Sequence, residues 1–180
     1  SSSTICSAGP VDFIVSGGLL GDGAQWELYT GSCGGTLVST SSTSTFNGVN
    51  VSSTGNYYVL ASGNCNTTTC ATTTVTLETL STDPVTLSSS ASSFCAVGTV
   101  DLTVSGGSLG TGASWELYSS SCGGTLIASS VTGVFSGINI SQTEDFFALA
   151  RGNCNTTNCA STTVTLEIPS TAPTSLTATN

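Results

Sequence analysis

Histidine, lysine and methionine are absent from this 180-residue chain, and Arg151 is its only basic residue. Each absence removes a class of function. A hydrolytic triad needs a base such as histidine to take the nucleophile's proton. Schiff-base catalysis needs a lysine amine, as do lysine–asparagine isopeptide crosslinks. Phosphate neutralisation takes several Lys or Arg side chains, so nucleic acid is excluded as a partner. An anionic membrane surface would repel a chain of net charge −9. No apolar run approaches the roughly 18 residues a membrane helix needs, so no membrane insertion is expected. No basic n-region of a signal peptide is present. Without methionine, residue 1 is not a translation start, and the sequence reads as a processed product or an excerpt of something longer. Charged residues make up only 6% of the chain, against about 25% in ordinary domains. Such low charge could accompany disorder, but 38% of the residues are hydrophobic and they are patterned, which a disordered tract would lack.

What is present is a repeat. Trp26-Glu27-Leu28-Tyr29 followed by Cys33-Gly34-Gly35-Thr36-Leu37 returns as Trp115-Glu116-Leu117-Tyr118 followed by Cys122-Gly123-Gly124-Thr125-Leu126. The offset is 89 residues (115 − 26), and it also relates Cys6 to Cys95 and Cys70 to Cys159. A fixed internal period overrides length as a guide to domain number. It predicts repeat one over 1–83, repeat two over 84–172, and the start of a further repeat or linker over 173–180. Thr171-Ala172-Pro173-Thr174-Ser175-Leu176 restates the junction at Thr82-Asp83-Pro84-Val85-Thr86-Leu87, so the array is expected to continue.

Within each repeat the apolar residues alternate. Val11, Phe13 and Val15 fall on one face of a half-buried strand. The glycine-rich stretch from Gly17 to Ala24 precedes a β pattern rather than a helix, so it reads as a turn, not a phosphate cradle. Gln25–Tyr29 is a strand that sends Trp26 and Leu28 inward; an exposed, sugar-stacking Trp26 is the sharper alternative. Strands follow at Thr36–Val38, at Phe46 through Val51, at Tyr57–Ser62 and at Thr72–Glu78. No segment has helical period. The predicted class is all-β: two tandem immunoglobulin-like β-sandwich domains, each with its central Trp as core anchor.

Eight cysteines, four per repeat, predict disulfides. Zinc would need closer ligand pairs, often with His. No metal and no cofactor are expected. Disulfides point to an oxidising, extracellular setting. Four cysteines allow three connectivities. In an immunoglobulin-like strand order the first cysteine and the one after the Trp strand lie at one end of the sandwich. That favours Cys6–Cys33 with Cys65–Cys70, and Cys95–Cys122 with Cys154–Cys159.

These residues carry a family likeness. Gly23-Ala24, Trp26, Tyr29, Cys33-Gly34-Gly35, Tyr57-Tyr58-Val59 and Gly63 through Ala71 resemble the immunoglobulin-like repeats of very large Bacteroidota surface proteins. Repeat two matches at Gly112-Ala113, Trp115, Tyr118, Cys122-Gly123-Gly124 and Gly152 through Ala160, with Phe146-Phe147-Ala148 in place of Tyr-Tyr-Val. The resemblance implies stalks of adhesins and filaments exported by the type IX route, some linked to gliding. Those repeats commonly carry an Arg after Tyr-Tyr-Val, where this chain has Leu60 and Leu149.

The carboxylates that recur in both repeats, Asp12/Asp101, Glu27/Glu116 and Glu78/Glu167, are scattered over successive strands. A glycosidase pair would face across a cleft, and calcium wants clustered acids, so a solvated strand surface is the expectation. Asn50, Asn66, Asn139 and Asn155 lie in N-x-Ser/Thr sequons. The function expected is a non-catalytic structural segment of a cell-surface filament or adhesin stalk. The alternative is a carbohydrate-binding module that uses Tyr29, Tyr58 or loop Asn residues on surface glycans. Strand alternation places Tyr29, Tyr58 and Leu60, and in repeat two Tyr118, Phe147 and Leu149, on an outer face. A contiguous apolar patch there would mark a self-association interface.

Overall fold

The computed structural model describes residues 2–179, the Ser2 side chain excepted, and every regular element among them is a β-strand. The chain divides into two compact units, Ser1–Thr79 and Leu80–Asn180. The division falls four residues before the expected 83/84 boundary, because the junction is bonded to the second unit. The Ser81 backbone N–H donates to Asn155 Oδ1 and its carbonyl accepts from Asn155 Nδ2, each at 2.9 Å. The Asp83 carboxylate accepts from the Asn158 backbone N–H and side-chain amide.

The first unit contains β1 (Ser2–Ile5), β2 (Gly9–Ile14), β3 (Gln25–Thr30), β4 (Thr36–Ser41), β5 (Thr45–Val51), β6 (Gly55–Ser62) and β7 (Ala71–Leu77). One sheet runs β1-β7-β6-β3-β4, and β2 pairs with β5 in the other. The inward residues of the two sheets, Phe13, Leu28, Phe46, Val49, Val51, Tyr57 and Val75, form the core, with Trp26 and Val59 packed against it. Alternation within β6 is as expected: Tyr57 and Ala61 are buried, and Tyr57 lies against Phe13 with ring centroids 4.7 Å apart. β1 has no counterpart in the sequence reading. Its polar Ser and Thr residues hide a short strand that runs parallel to β7.

The second unit repeats this plan with β8 (Thr86–Ser89), β9 (Ser93–Phe94), β10 (Gly98–Ser105), β11 (Ser114–Ser119), β12 (Thr125–Ser130), β13 (Val134–Ile140), β14 (Glu144–Arg151) and β15 (Ala160–Leu166). Its five-stranded sheet runs β12-β11-β14-β15-β9, and its three-stranded sheet runs β13-β10-β8. Trp115 is buried with Leu102, Leu117, Phe135, Ile140, Phe146 and Val164. Trp115 is thus a core residue, and Trp26 is half-buried against its core.

The recurring aspartates hold a bulge rather than facing bulk water alone. The β2–β5 register shifts between Val11 and Phe13, and Asp12 Oδ1 accepts the Gly48 N–H at 2.7 Å. Gly48 has φ +66°, a left-handed conformation that glycine adopts without strain. Asp101 does the same for Gly137 at 2.8 Å. One extra residue per bulge is left unpaired, and the carboxylate supplies its acceptor.

Candidate functional site

The site with chemistry in it is the outer face of each five-stranded sheet. Cys33 lies in the loop between β3 and β4, and Cys70 immediately precedes β7. They form a disulfide with a Cα–Cα distance of 5.9 Å, and Cys122–Cys159 repeats it at 5.9 Å. In the sheet, β6 lies between β3 and β7, so the bridge straddles β6. Val59 pairs with Ala71. Continuing that register by one residue sets Cys70 beside Leu60, and alternation puts both on the outer face.

This overturns the expected pairings Cys6–Cys33, Cys65–Cys70, Cys95–Cys122 and Cys154–Cys159. The loop after β6 needs no internal disulfide. Ser62 bridges Thr67, and the Ala61 N–H donates to the Thr68 hydroxyl at 2.9 Å. In repeat two Arg151 bridges Thr156, and the Ala150 N–H donates to the buried Thr157 hydroxyl at 2.8 Å. Cys70 is thereby released to cross the sheet. Cys6 and Cys154 are also disulfide-bonded, whereas Cys65 and Cys95 are free and exposed.

The exposed apolar face is corrected too. Leu60 is 6% exposed and Leu149 3% exposed. Neither belongs to its unit's core cluster. Each lies on the outer face, where alternation put it, and the strand register sets it beside Cys70 or Cys159 of a bridge that the sequence reading did not anticipate. Tyr118 is buried as well, while Tyr29, Tyr58 and Phe147 are half-buried. What stays exposed is the edge strand. Leu37 and Val38 on β4, and Leu126 and Ile127 on β12, face solvent at matching positions.

Beside the bridge lies a polar cluster. The Tyr29 hydroxyl donates to Glu27, and the Tyr118 hydroxyl donates to Glu116. The hydrogen bond to Glu27 raises the Tyr29 pKa above its ordinary value. Burial and the bond to Glu116 raise that of Tyr118. Repeat two adds Arg151, whose Nε donates to Glu116 at 2.7 Å and whose Nη2 donates to the Tyr118 hydroxyl at 3.1 Å. Burial pushes the Glu116 carboxyl up, but the bonds from Tyr118 and Arg151 outweigh it, and the pKa falls below the ordinary value. The cluster holds a phenol, a carboxylate and a guanidinium that are bonded to one another. Of the sequon residues, Asn50, Asn66 and Asn139 are exposed, whereas the Asn155 amide is engaged with Ser81.

A second feature is a cleft in the first unit. The edge of β2 turned away from β5 carries no strand among the described residues, and the sandwich opens there into a cleft of about 400 Å³ lined by Phe13, Val15, Leu28, Tyr57, Val59 and Val75. In the second unit β8 pairs along the matching edge of β10, and its Leu87 is buried in the core.

No family model and no curated protein matches the sequence. Solved structures do match. The I67–I69 fragment of the titin I-band aligns with a TM-score of 0.59 at 14% identity, over 94% of this chain and 63% of that one. Titin domains A168–A170 align with a TM-score of 0.56 at 15% identity, over 92% of this chain and 61% of that one. The chain thus spans under two thirds of either titin fragment. The fibronectin(III)-like modules of Clostridium thermocellum CbhA align at 0.45 and 13% identity, over 93% of this chain and 90% of that one. At such identities the likeness is one of fold: the chain is all-β and built as immunoglobulin-like sandwich domains.

Proposed function

We propose that the chain is a structural segment of an extracellular filament or cell-surface adhesin stalk, of the kind its sequence resembles in Bacteroidota surface proteins. The observation that supports this most is the repetition of one staple. Two domains of the same fold each carry a disulfide of sequence separation 37 that straddles the strand between its partners. A bridge placed across neighbouring strands resists the shearing of one strand past another, which is the load a stalk bears. The outer-face cluster offers no acid–base set for catalysis.

The test is location and binding. An antibody raised to the repeat pair should label filaments on intact cells of the producing organism. Label confined to the cell interior would end the stalk reading. The carbohydrate-binding alternative predicts saturable glycan-array binding that is lost on Tyr58→Ala; the stalk reading predicts an array without signal.

A further inference from the structure

The bulge that Asp12 holds carries a reactive pair of residues in the first unit. Phe46 pairs with Phe13 and Val49 with Val11, so Asn47 and Gly48 together stand opposite Asp12. Both are exposed. Asn47-Gly48 is the one Asn-Gly step in the sequence. A glycine after an asparagine leaves its backbone nitrogen open to ring closure with the preceding side chain, because no Cβ stands in the way. Beyond its chain neighbours, nothing lies within 4 Å of the place a Gly48 Cβ would take. Repeat two keeps the bulge, the Asp101 carboxylate and Gly137, but has Ser136 where repeat one has Asn47. Serine has no amide to lose. The two units therefore share the geometry and differ in the chemistry it holds.

We infer that Asn47 is a modification site that converts through a cyclic imide to aspartate and isoaspartate, and that Asp12 restrains the conversion. The Gly48 nitrogen gives its proton to solvent and bonds to Asn47 Cγ; the side-chain amide nitrogen leaves as ammonia. Water then adds to one of the two imide carbonyls, the bond from that carbon to the Gly48 nitrogen breaks, and the nitrogen regains a proton. Opening at Cγ gives aspartate. Opening at the main-chain carbonyl gives isoaspartate, in which the chain runs through the side chain. The net change is one water consumed and one ammonia released, with no oxidant or reductant. Asp12 acts through the Gly48 hydrogen, which its Oδ1 accepts at 2.7 Å in a charge-assisted bond. The imide nitrogen carries no hydrogen, so closing the ring gives this bond up. Hydrolysis then sets a new carboxylate across from Asp12, where like charges repel. Isoaspartate also lengthens the main chain by one carbon inside the bulge, between the core residues Phe46 and Val49. The first unit thus loosens with age by a route closed to the second. The inference uses this unit's own residues and holds whether or not the parent protein is a stalk.

The experiment incubates the full chain at neutral pH, folded and in urea. Peptide mass mapping reads amide loss, and an isoaspartyl methyltransferase assay on separated peptides reads isoaspartate. Asp22-Gly23 can close the same ring by losing water, without a change of mass, and is read on its own peptide. In the folded parent, Asn47 should convert before any other asparagine. Asp12→Ala should convert it several-fold faster while folded, and at the parent's rate in urea, where neither chain has the hold. Asp12→Asn, which keeps an uncharged acceptor, should fall between the two and serves if the alanine variant does not fold. Formation of Cys33–Cys70 checks folding. Asn47→Ser, the repeat-two residue, should keep its urea midpoint through the incubation while that of the parent's first unit falls. Earlier conversion of another asparagine in the folded parent would overturn the site. Folded Asp12 variants that convert no faster than the parent would overturn the restraint.

Discussion

Arg151 distinguishes the two outer faces at the scale of a residue. Its counterpart in repeat one is Ser62, and there Glu27 has Tyr29 and a longer 3.4 Å contact from Gln25. The lowered Glu116 pKa fixes the sign of a pH effect. A carboxylate depressed on folding contributes stability above its unfolded pKa, and that contribution is lost as pH falls through the folded value. Arg151→Ser should therefore lower the urea midpoint of the second unit at about pH 7. Once the pH has fallen below the folded Glu116 value and the carboxyl is protonated, the variant and parent should agree. An equal deficit at both pH values would assign Arg151 a packing role instead. The aspartates teach a related lesson. Asp12 and Asp101 were legible as recurring surface carboxylates, but a bulge leaves no period in the sequence, so their bond to Gly48 and Gly137 was not.

At the scale of the element, β6 and β14 show what alternation reveals and what it conceals. Period-two patterning placed Tyr57 and Ala61 inside and Tyr58 and Leu60 outside, and the chain follows that register. It could not reveal that Leu60 is buried, because the register sets it beside Cys70, whose bridge to Cys33 period-two patterning does not encode. Pairing was argued from which loops share an end of the sandwich. The bridge instead crosses the sheet, which loop position does not encode. The corrected geometry reverses one expectation. Leu60→Arg, neutral on an open face, should now force a charge in beside the bridge and destabilise the first unit by on the order of 3 kcal/mol or more. Leu60→Ala should cost about 2–5 kcal/mol. Removing the bridge with Cys33→Ser and Cys70→Ser should cost about 4 kcal/mol by loop entropy. The two losses should fall short of additive, since Leu60 and Cys70 are neighbours in the sheet. Denaturation of the single and combined variants checks this; strict additivity would mean that the bridge and Leu60 do not interact.

At the scale of the whole molecule, the 89-residue period was the strongest signal in the sequence, and the chain separates into two compact units, Ser1–Thr79 and Leu80–Asn180. The cleft along β2 left no such signal, because the place one 89-residue period before β8 (Thr86–Ser89) falls ahead of Ser1. Mechanics offers the sharpest check of the staples. In a chain carrying Cys6→Ser, Cys65→Ser, Cys95→Ser and Cys154→Ser, only Cys33–Cys70 and Cys122–Cys159 remain. Each closes a sequence separation of 37 residues that cannot extend under load. At about 3.5 Å per residue, each hides roughly 130 Å of contour. Single-molecule stretching should give one unfolding event per domain, and reduction should lengthen each by that amount. Adding Cys33→Ser should lengthen one event and leave the other short, which identifies the first unit's signal. Increments that do not change on reduction would mean that the bridges are not formed under load. A single merged event would mean that the two domains do not yield independently, as the beads of a stalk should.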